Sequence, residues 1–227
     1  MRIAVVALGK IGLPLAVQYA DKGHEVIGVD VNPAVVEAVN AGSEPFPGEA
    51  HLADKLAALS PATGNGALRA TTDYAEAIPD ADAIVLVVPL FVDDATWAPD
   101  FAWMDDATRS LASHLTPSTL ISYETTLPVG TLRGRFKPMI EEISGLREGA
   151  DFHLVFSPER VLTGRVFADL RRYPKLVGGL DEAGTRAGIA FYESVLDFDE
   201  RDDLPRPNGV WDMGAAEAAE MAKLAET

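Results

Sequence analysis

The first thirty residues follow a strand, turn, helix, strand pattern that constrains the fold more than any other part of the chain. Residues 3–6 form a short apolar run rich in β-branched side chains, which predicts a strand. Residues 13–22 have apolar side chains at helical spacing, and Gly23 is placed to end that helix. Residues 25–29 predict a second strand. The order indicates a βαβ unit.

The turn before the predicted helix carries a glycine pattern. Residues 7–12 read Ala-Leu-Gly-Lys-Ile-Gly, an A-x-G-x-x-G form of the dinucleotide-binding fingerprint. Gly9 and Gly12 let the backbone approach a pyrophosphate, whose charge is stabilised by free N–H groups at a helix N-terminus. Asp30 ends the second strand, where a carboxylate accepts hydrogen bonds from ribose hydroxyls and repels a 2′-phosphate. The pattern predicts NAD binding in preference to NADP. In a second interpretation the glycines serve only helix-to-strand packing.

Composition limits the expected partners and chemistry. The chain has 35 acidic and 19 basic residues and a formal charge of −16, so we expect neither nucleic acid nor a membrane surface as a partner. The absence of cysteine excludes disulfides and a thiol nucleophile within these 227 residues. The four histidines stand at no metal-ligand spacing, so no metal site is predicted. With no predicted signal peptide or transmembrane run, we expect a cytoplasmic location.

The rest of the chain continues the alternation of strands and helices. Residues 83–88, Ala-Ile-Val-Leu-Val-Val, are typical of a parallel strand buried on both faces, and the strand should end at Pro89 beside the ligand. Further strands are predicted near residues 120–123, 152–156 and 175–178, and helices over 106–114, 131–143, 182–195 and 213–226. The predicted fold class is α/β, a doubly wound, mostly parallel sheet of Rossmann type.

Six motifs in order carry a resemblance to a known family. They are GKIGLPLA after the first strand, the strand ending at Asp30, LRATTD at 68–73, ETTLPVGT at 124–131, SPERV at 157–161 and AEMAKL at 219–224. Together they resemble the N-terminal part of the UDP-glucose and GDP-mannose dehydrogenases, which are nucleotide-sugar 6-dehydrogenases. SPERV followed by Gly164-Arg165 is more similar to the UDP-N-acetylmannosamine and UDP-N-acetylglucosamine branch.

The resemblance implies a reaction and a set of site residues. Such enzymes oxidise the C6 alcohol of a UDP-sugar to a carboxylate with two NAD, through an aldehyde and a cysteine thioester. Lys223, Glu159 and Thr126 match catalytic positions: a lysine at the oxyanion, a carboxylate that activates water, and a hydroxyl near the reacting carbon. The matched cofactor contacts are Gly9, Lys10, Ile11, Gly12, Asp30, Leu90 and Thr126. The matched substrate contacts are Arg160, Val161, Lys223 and Thr227.

Three positions depart from the family pattern. Ala7 replaces the first glycine of the fingerprint. Leu90 follows Pro89 where the family usually has a threonine, which removes a hydroxyl expected near the nicotinamide. Thr227 stands where many members have an asparagine that helps Lys223 hold the oxyanion.

Family members are longer than this chain. We expect residues 1–212 to form the NAD-binding domain and 213–227 to begin a central linking helix, with the substrate domain and its cysteine absent. The resemblance also implies a homodimer in the full-length protein. We therefore expect no dehydrogenase turnover from this truncated chain alone.

Two other functions remain open on the sequence. One is a two-electron NAD-dependent dehydrogenase of the hydroxyacid or 6-phosphogluconate type, which would use Lys223 without a cysteine. The other is a dinucleotide-binding module without catalytic activity. The first predicts an aldehyde or ketone product, and the second predicts cofactor binding without turnover.

Overall fold

A computed structural model describes residues 1–226 and shows a central sheet covered by helices on both faces. The strands are β1 (Arg2–Val6), β2 (Glu25–Val29), β3 (Leu68–Thr71), β4 (Ala83–Leu86), β5 (Phe91–Val92), β6 (Pro99–Asp100), β7 (Thr119–Tyr123), β8 (Phe152–Phe156), β9 (Lys175–Gly179) and β10 (Val210–Asp212). The helices are α1 (Gly12–Asp21), α2 (Pro33–Asn40), α3 (Leu52–Leu59), α4 (Tyr74–Ala77), α5 (Ala102–Ala112), α6 (Lys137–Ser144), α7 (Val166–Arg172), α8 (Glu182–Val195) and α9 (Ala216–Glu226).

The large sheet has eight strands in the order β10-β9-β8-β7-β4-β1-β2-β3. Neighbouring strands from β3 to β8 are parallel, whereas β9 pairs antiparallel with β8, and β10 runs parallel to β9. The strand order reverses between β1 and β4, where a ligand crevice forms at the carboxyl ends of the strands. The predicted fold class, a mostly parallel α/β sheet of Rossmann type, is confirmed.

Alternate residues of the buried strands supply two apolar cores. Along β1, Ile3 and Val5 pack into the core on one face, while Ala4 and Val6 pack into the core on the other. All four are at most 2% exposed. Burial of both faces explains why these strands read as continuous apolar runs rather than as alternating ones.

Two predicted helices differ from those observed. The helix predicted over 106–114 is α5, which begins earlier, at Ala102, whose N–H donates a hydrogen bond to the Asp100 side chain. The helix predicted over 131–143 begins with a π-helical stretch, Leu132–Phe136, before α6. Pro138 has no N–H to donate to the carbonyl four residues earlier, and a wider turn accommodates its ring.

Asn32 caps α2, because its side chain accepts a hydrogen bond from the Ala34 N–H. No helix within residues 1–226 is both long and apolar enough to cross a membrane.

Candidate functional site

The glycine loop between β1 and α1 adopts the backbone that the fingerprint requires, although its first residue is alanine. Ala7 has a φ of +76°, in the left-handed region, and its N–H donates to the Val29 carbonyl at 2.8 Å. A Cβ at Gly12 would lie 1.9 Å from the Ala7 carbonyl oxygen, so only glycine fits there. The turn therefore keeps its shape with alanine at position 7. The left-handed backbone costs alanine about 1–2 kcal/mol more than it would cost glycine.

The N-terminus of α1 is suited to an anion. No side chain caps it within the described part of the chain, and no acidic residue lies in its first turn. A Cβ added at Gly9 would meet nothing within 4 Å, so the backbone is open on that side. Uncapped N–H groups beside an open loop are what a pyrophosphate needs. These residues fit the dinucleotide that the fingerprint predicts.

Asp30 connects the end of β2 to the glycine loop. One carboxylate oxygen accepts a hydrogen bond from the Leu8 N–H at 2.8 Å, and the other accepts one from the Asn32 N–H at 2.9 Å. Asp30 lines a cavity of about 450 Å³, here named the Asp30 cavity. Its other walls are Val6, Ala7, Gly9, Val29, Val31, Tyr74, Val88, Pro89, Trp103, Asp106 and Ala107. A carboxylate at one end of an apolar cleft suits a ribose attached to an adenine.

A second cavity lies on the other side of the glycine loop. This Glu159 cavity has a volume of about 360 Å³ and shares Ala7, Gly9 and Pro89 with the Asp30 cavity. Its remaining walls are Lys10, Ile11, Gly12, Val87, Glu124, Thr125, Thr126, Glu159 and Lys223. Since both cavities open along one loop, an extended dinucleotide could place one end in each.

The structure brings together the three residues matched to catalytic positions. Thr126 follows β7, Glu159 follows β8 and Lys223 lies on α9, and all three line the Glu159 cavity. Buried Glu220 attaches α9 to the loop after Thr126, accepting hydrogen bonds from the Gly130 N–H at 2.5 Å and the Leu132 N–H at 3.0 Å. This anchor fixes the helix that carries Lys223.

Of the residues matched to substrate contacts, Lys223 lines the Glu159 cavity, whereas Arg160 and Val161 do not. Arg160 forms an ion pair with Glu226 and donates to the Pro174 carbonyl at 3.1 Å. Val161 packs against the apolar core, and both it and Arg160 line a crevice of only about 10 Å³ beside Glu159. Thr227 lies outside the described residues.

Leu90 takes a different place from the other matched cofactor contacts. It packs against the apolar core on one face of the sheet, whereas its neighbours Val87 and Pro89 line the Glu159 cavity. The role of Leu90 in cofactor binding stays a prediction.

Glu159 belongs to a buried charged group that the sequence did not reveal. Lys175 Nζ lies 2.7 Å from Glu124 Oε2 and 2.8 Å from Glu159 Oε2. Tyr192 donates to Glu124 Oε1 at 2.7 Å, and Tyr19 lies 3.3 Å from the same oxygen. We name these five residues the Lys175 cluster. Glu124 directly follows the buried strand β7, and Lys175 is the first residue of β9. A charged residue at the end of a buried strand is the only sign of this cluster in the sequence.

The two buried carboxylates that contact Lys175 have pKa values shifted in opposite directions. Burial, opposed by Lys175 and reinforced by Glu159, raises the pKa of Glu124 to about 7. Burial also acts to raise the pKa of Glu159, but Lys175 and hydrogen bonds from Glu124 and Lys175 hold it below its ordinary value. Burial raises the pKa of both tyrosines well above the ordinary value, so they stay neutral donors. Glu159 is therefore the ionised carboxylate that faces the cavity.

Comparison with known proteins identifies a family. Residues 1–196 match the UDP-glucose/GDP-mannose dehydrogenase family, NAD binding domain. A UDP-N-acetyl-D-mannosamine dehydrogenase of Pyrococcus horikoshii is 32% identical over 200 residues, which cover 86% of this chain and 45% of the relative. One of Campylobacter jejuni is 30% identical over 99% of this chain and 52% of the relative.

A solved structure shows the same architecture. The UDP-D-ManNAc dehydrogenase from Pyrococcus horikoshii superposes with a TM-score of 0.87 at 29% identity, covering 100% of this chain and 50% of that one. The chain thus spans about half the length of the relatives that it matches. The match confirms both the resemblance found in the sequence motifs and NAD as the cofactor. The chain belongs to the UDP-glucose/GDP-mannose dehydrogenase family and forms its NAD-binding domain.

Proposed function

We propose that this chain serves as the NAD-binding half of a nucleotide-sugar 6-dehydrogenase that oxidises a UDP-N-acetylhexosamine to its uronate. The observation that carries the proposal is the pair of cavities on one glycine loop, with Asp30 in one and Thr126, Glu159 and Lys223 in the other. The named UDP-N-acetyl-D-mannosamine dehydrogenases among the relatives support the substrate class.

The proposed reaction balances over two oxidations. The first converts the C6 alcohol and one NAD⁺ into an aldehyde, NADH and a proton. The second converts the aldehyde, water and another NAD⁺ into a carboxylate, NADH and two protons. NAD, when bound, supplies the hydride acceptor. This chain has no cysteine, so a thioester route would take its thiol from outside these 227 residues.

The chain's own residues have distinct tasks in this proposal. Lys223 stabilises negative charge on the C6 oxygen, since an ammonium directed at a developing oxyanion lowers the barrier. Thr126 orients the C6 oxygen or a water by hydrogen bonding. Glu159 accepts a proton from water as a general base, and Lys175 keeps it ionised. Asp30 holds the adenosine ribose.

The cofactor part of the proposal is tested by titrating the chain with NADH and, separately, with NADPH while following nicotinamide fluorescence. We expect NADH to bind more tightly because Asp30 repels a 2′-phosphate. Asp30→Ala should reduce this preference, whereas Asp21→Ala, an exposed acid outside both cavities, should leave it unchanged. Equal affinity for the two cofactors in the parent chain would contradict the assignment of Asp30.

The reaction is tested by measuring how many NADH molecules the complete gene product forms for each sugar that it consumes. UDP-N-acetylmannosamine or UDP-N-acetylglucosamine should yield two NADH per sugar consumed, and the 227-residue chain alone should yield none. One NADH from a hydroxyacid or from 6-phosphogluconate would favour the two-electron alternative. Cofactor binding without turnover on any of these compounds would favour a binding module.

We also propose that α9 contributes to a homodimer contact. Met221 and Leu224 are 56% and 42% exposed and stand three residues apart, so they share one face of this helix. Static light scattering on the complete gene product should give twice the monomer mass. Met221→Lys with Leu224→Lys should shift the mass toward the monomer, and an unchanged dimer would contradict this contact.

A further inference from the structure

Three side chains that can bind a metal meet at the edge of the sheet opposite the glycine loop. His153 is the second residue of β8, Glu148 lies in the loop before that strand, and Asp181 lies between β9 and α8. One oxygen or nitrogen atom of each lies within 4.8 Å of those of the other two. Because β8 runs parallel to β1, its first residues face away from the carboxyl ends of the strands. This group is therefore separate from both cavities of the cofactor site.

Two of the potential ligand atoms have no hydrogen-bond partner within residues 1–226. The Glu148 side chain is only 4% exposed, and its Oε1 atom is buried without a partner. The Nδ1 atom of His153 is also buried without a partner. A buried polar atom left unpaired costs free energy, and proteins rarely tolerate such atoms without a reason. Here two of them, an oxygen and a nitrogen, occur in one small group.

The third residue adds a carboxylate whose position is already fixed. Asp181 caps α8, with Oδ1 accepting a hydrogen bond from the Gly184 N–H at 2.6 Å. Its other oxygen has no hydrogen bond among the described residues, and the residue is exposed, so water and ions can reach it. Burial raises the pKa of Glu148, and the Asp181 carboxylate raises it further. The two carboxylates therefore repel each other when both are ionised, and a cation between them would relieve that repulsion.

One cation is already near the group but does not satisfy it. Lys137 Nζ lies 3.6 Å from Glu148 Oε2, beyond hydrogen-bond distance. It partly neutralises the carboxylate and opposes the rise in its pKa. The contact leaves Glu148 Oε1 and His153 Nδ1 unpaired. A divalent cation would accept an electron pair from each of these two atoms.

We propose that Glu148, His153 and Asp181 bind one divalent transition-metal ion of the zinc type, with water as the remaining ligand. An imidazole nitrogen with two carboxylates is a donor set that suits Zn²⁺, whereas Mg²⁺ and Ca²⁺ prefer oxygen alone. Metal–ligand bonds of about 2.0–2.2 Å require the three atoms to move somewhat closer together. Because Asp181 is fixed by its cap on α8, the movement would come from the loop that carries Glu148. His153, one of the four histidines for which the sequence predicted no metal site, becomes a ligand.

The bound ion would connect three segments that are distant along the chain. It would tie the loop after α6 to the start of β8 and to the N-terminus of α8. The ion would add stability without touching the dinucleotide site. The proposal consequently stands or falls independently of the dehydrogenase function.

Zinc binding to the 227-residue chain tests the proposal directly. The chain is first freed of metal with EDTA, and Zn²⁺ is then titrated in competition with a chromophoric chelator. We expect one ion per chain. A free Zn²⁺ concentration one hundred times the Kd should raise the melting temperature by about 5–10 °C, whereas equimolar Mg²⁺ should have no effect. Co²⁺ as a second probe should give the visible absorption of a site with mixed nitrogen and oxygen ligands.

Two variants assign the ion to this site. His153→Gln and Asp181→Asn should each weaken Zn²⁺ binding at least tenfold. Asp181→Asn retains a side chain that can cap α8, so the variant should fold, and its melting temperature in EDTA should match that of the parent. His51→Asn is the matched control, because His51 is exposed, outside the group, and in a left-handed conformation that asparagine tolerates. It should bind zinc as the parent does.

Two results would overturn the proposal. The first is that the folded parent chain fails to bind one equivalent of Zn²⁺ at micromolar concentrations. The second is binding that persists with unchanged affinity in both His153→Gln and Asp181→Asn, since the ion would then lie elsewhere.

Discussion

Lys175 Nζ lies 2.8 Å from Glu159 Oε2, and the same nitrogen lies 2.7 Å from Glu124 Oε2. A single buried ammonium therefore supports the carboxylate that faces the Glu159 cavity. Lys175 is 4% exposed and Glu124 is 1% exposed, so water screens these charges little. The stability of this part of the fold and the protonation of the proposed general base depend on one cation.

Removing that cation should destabilise the chain strongly. Lys175→Met would leave two buried carboxylates without a counter-charge, and we expect a loss of roughly 3–5 kcal/mol in the free energy of unfolding, measured with urea. Arg186→Ala, which breaks an exposed ion pair with Glu182, should cost less than about 1 kcal/mol. A loss below about 1 kcal/mol for Lys175→Met would show that the cluster is not a buried ion pair in solution.

Glu124 should make stability depend on pH in one direction. Its folded pKa is about 7, above the ordinary value of 4.5, so the folded state binds the proton more tightly than the unfolded state. Its contribution is fully present below pH 4.5 and is lost as pH rises through about 7. In thermal melts between pH 5 and 8, the parent should lose stability relative to Glu124→Gln as pH rises. A constant difference between the two across this range would contradict the raised pKa.

Substituting alanine for Gly12 should destabilise the chain much more than substituting alanine for Gly9. Gly12→Ala would place a Cβ 1.9 Å from the Ala7 carbonyl oxygen, so we expect a loss of roughly 1–3 kcal/mol in unfolding free energy and weaker NADH binding. Gly9→Ala meets no protein atom within 4 Å and should cost less than about 1 kcal/mol. Urea unfolding and fluorescence titration measure the two effects. Equal destabilisation by both substitutions would contradict the observed loop geometry.

Glycine at position 7 should raise the free energy of unfolding of the chain. Ala7 has a φ of +76°, which costs an alanine about 1–2 kcal/mol more than a glycine, while glycine adds about 0.4–1 kcal/mol of chain entropy in the unfolded state. Ala7→Gly should therefore stabilise the chain by about 0.5–1 kcal/mol in urea unfolding. A clear destabilisation would mean that Ala7 is not left-handed in solution.

Glu220 should be needed to hold α9 in place. Glu220→Ala removes the acceptor for the Gly130 and Leu132 N–H groups, and we expect a loss of roughly 2–4 kcal/mol in unfolding free energy. Glu217→Ala is the control from the same helix, since its partner Arg133 is half exposed, and it should cost at most about 1 kcal/mol. Hydrogen exchange of the α9 amides should increase only in the Glu220 variant. Similar losses for both variants would argue against the anchor.

The local pattern of the sequence was sufficient for the fold class and the cofactor. Residues 1–30 specify a strand, a helix and a second strand through their spacing of apolar residues, and Gly9, Gly12 and Asp30 specify the dinucleotide chemistry. These features depend on near neighbours along the chain, so the sequence alone predicts them. The ordered motifs also led to the family that the comparisons established.

The tertiary structure decided the features that depend on distant residues. Glu124, Glu159 and Lys175 are up to 51 positions apart, and their pKa values follow from burial that only the packed sheet creates. The antiparallel direction of β9 was likewise set by pairing across the sheet. The grouping of Glu148, His153 and Asp181 has the same origin, because it arises where a loop, a strand and a helix cap meet. Sequence spacing carries no signal for such contacts.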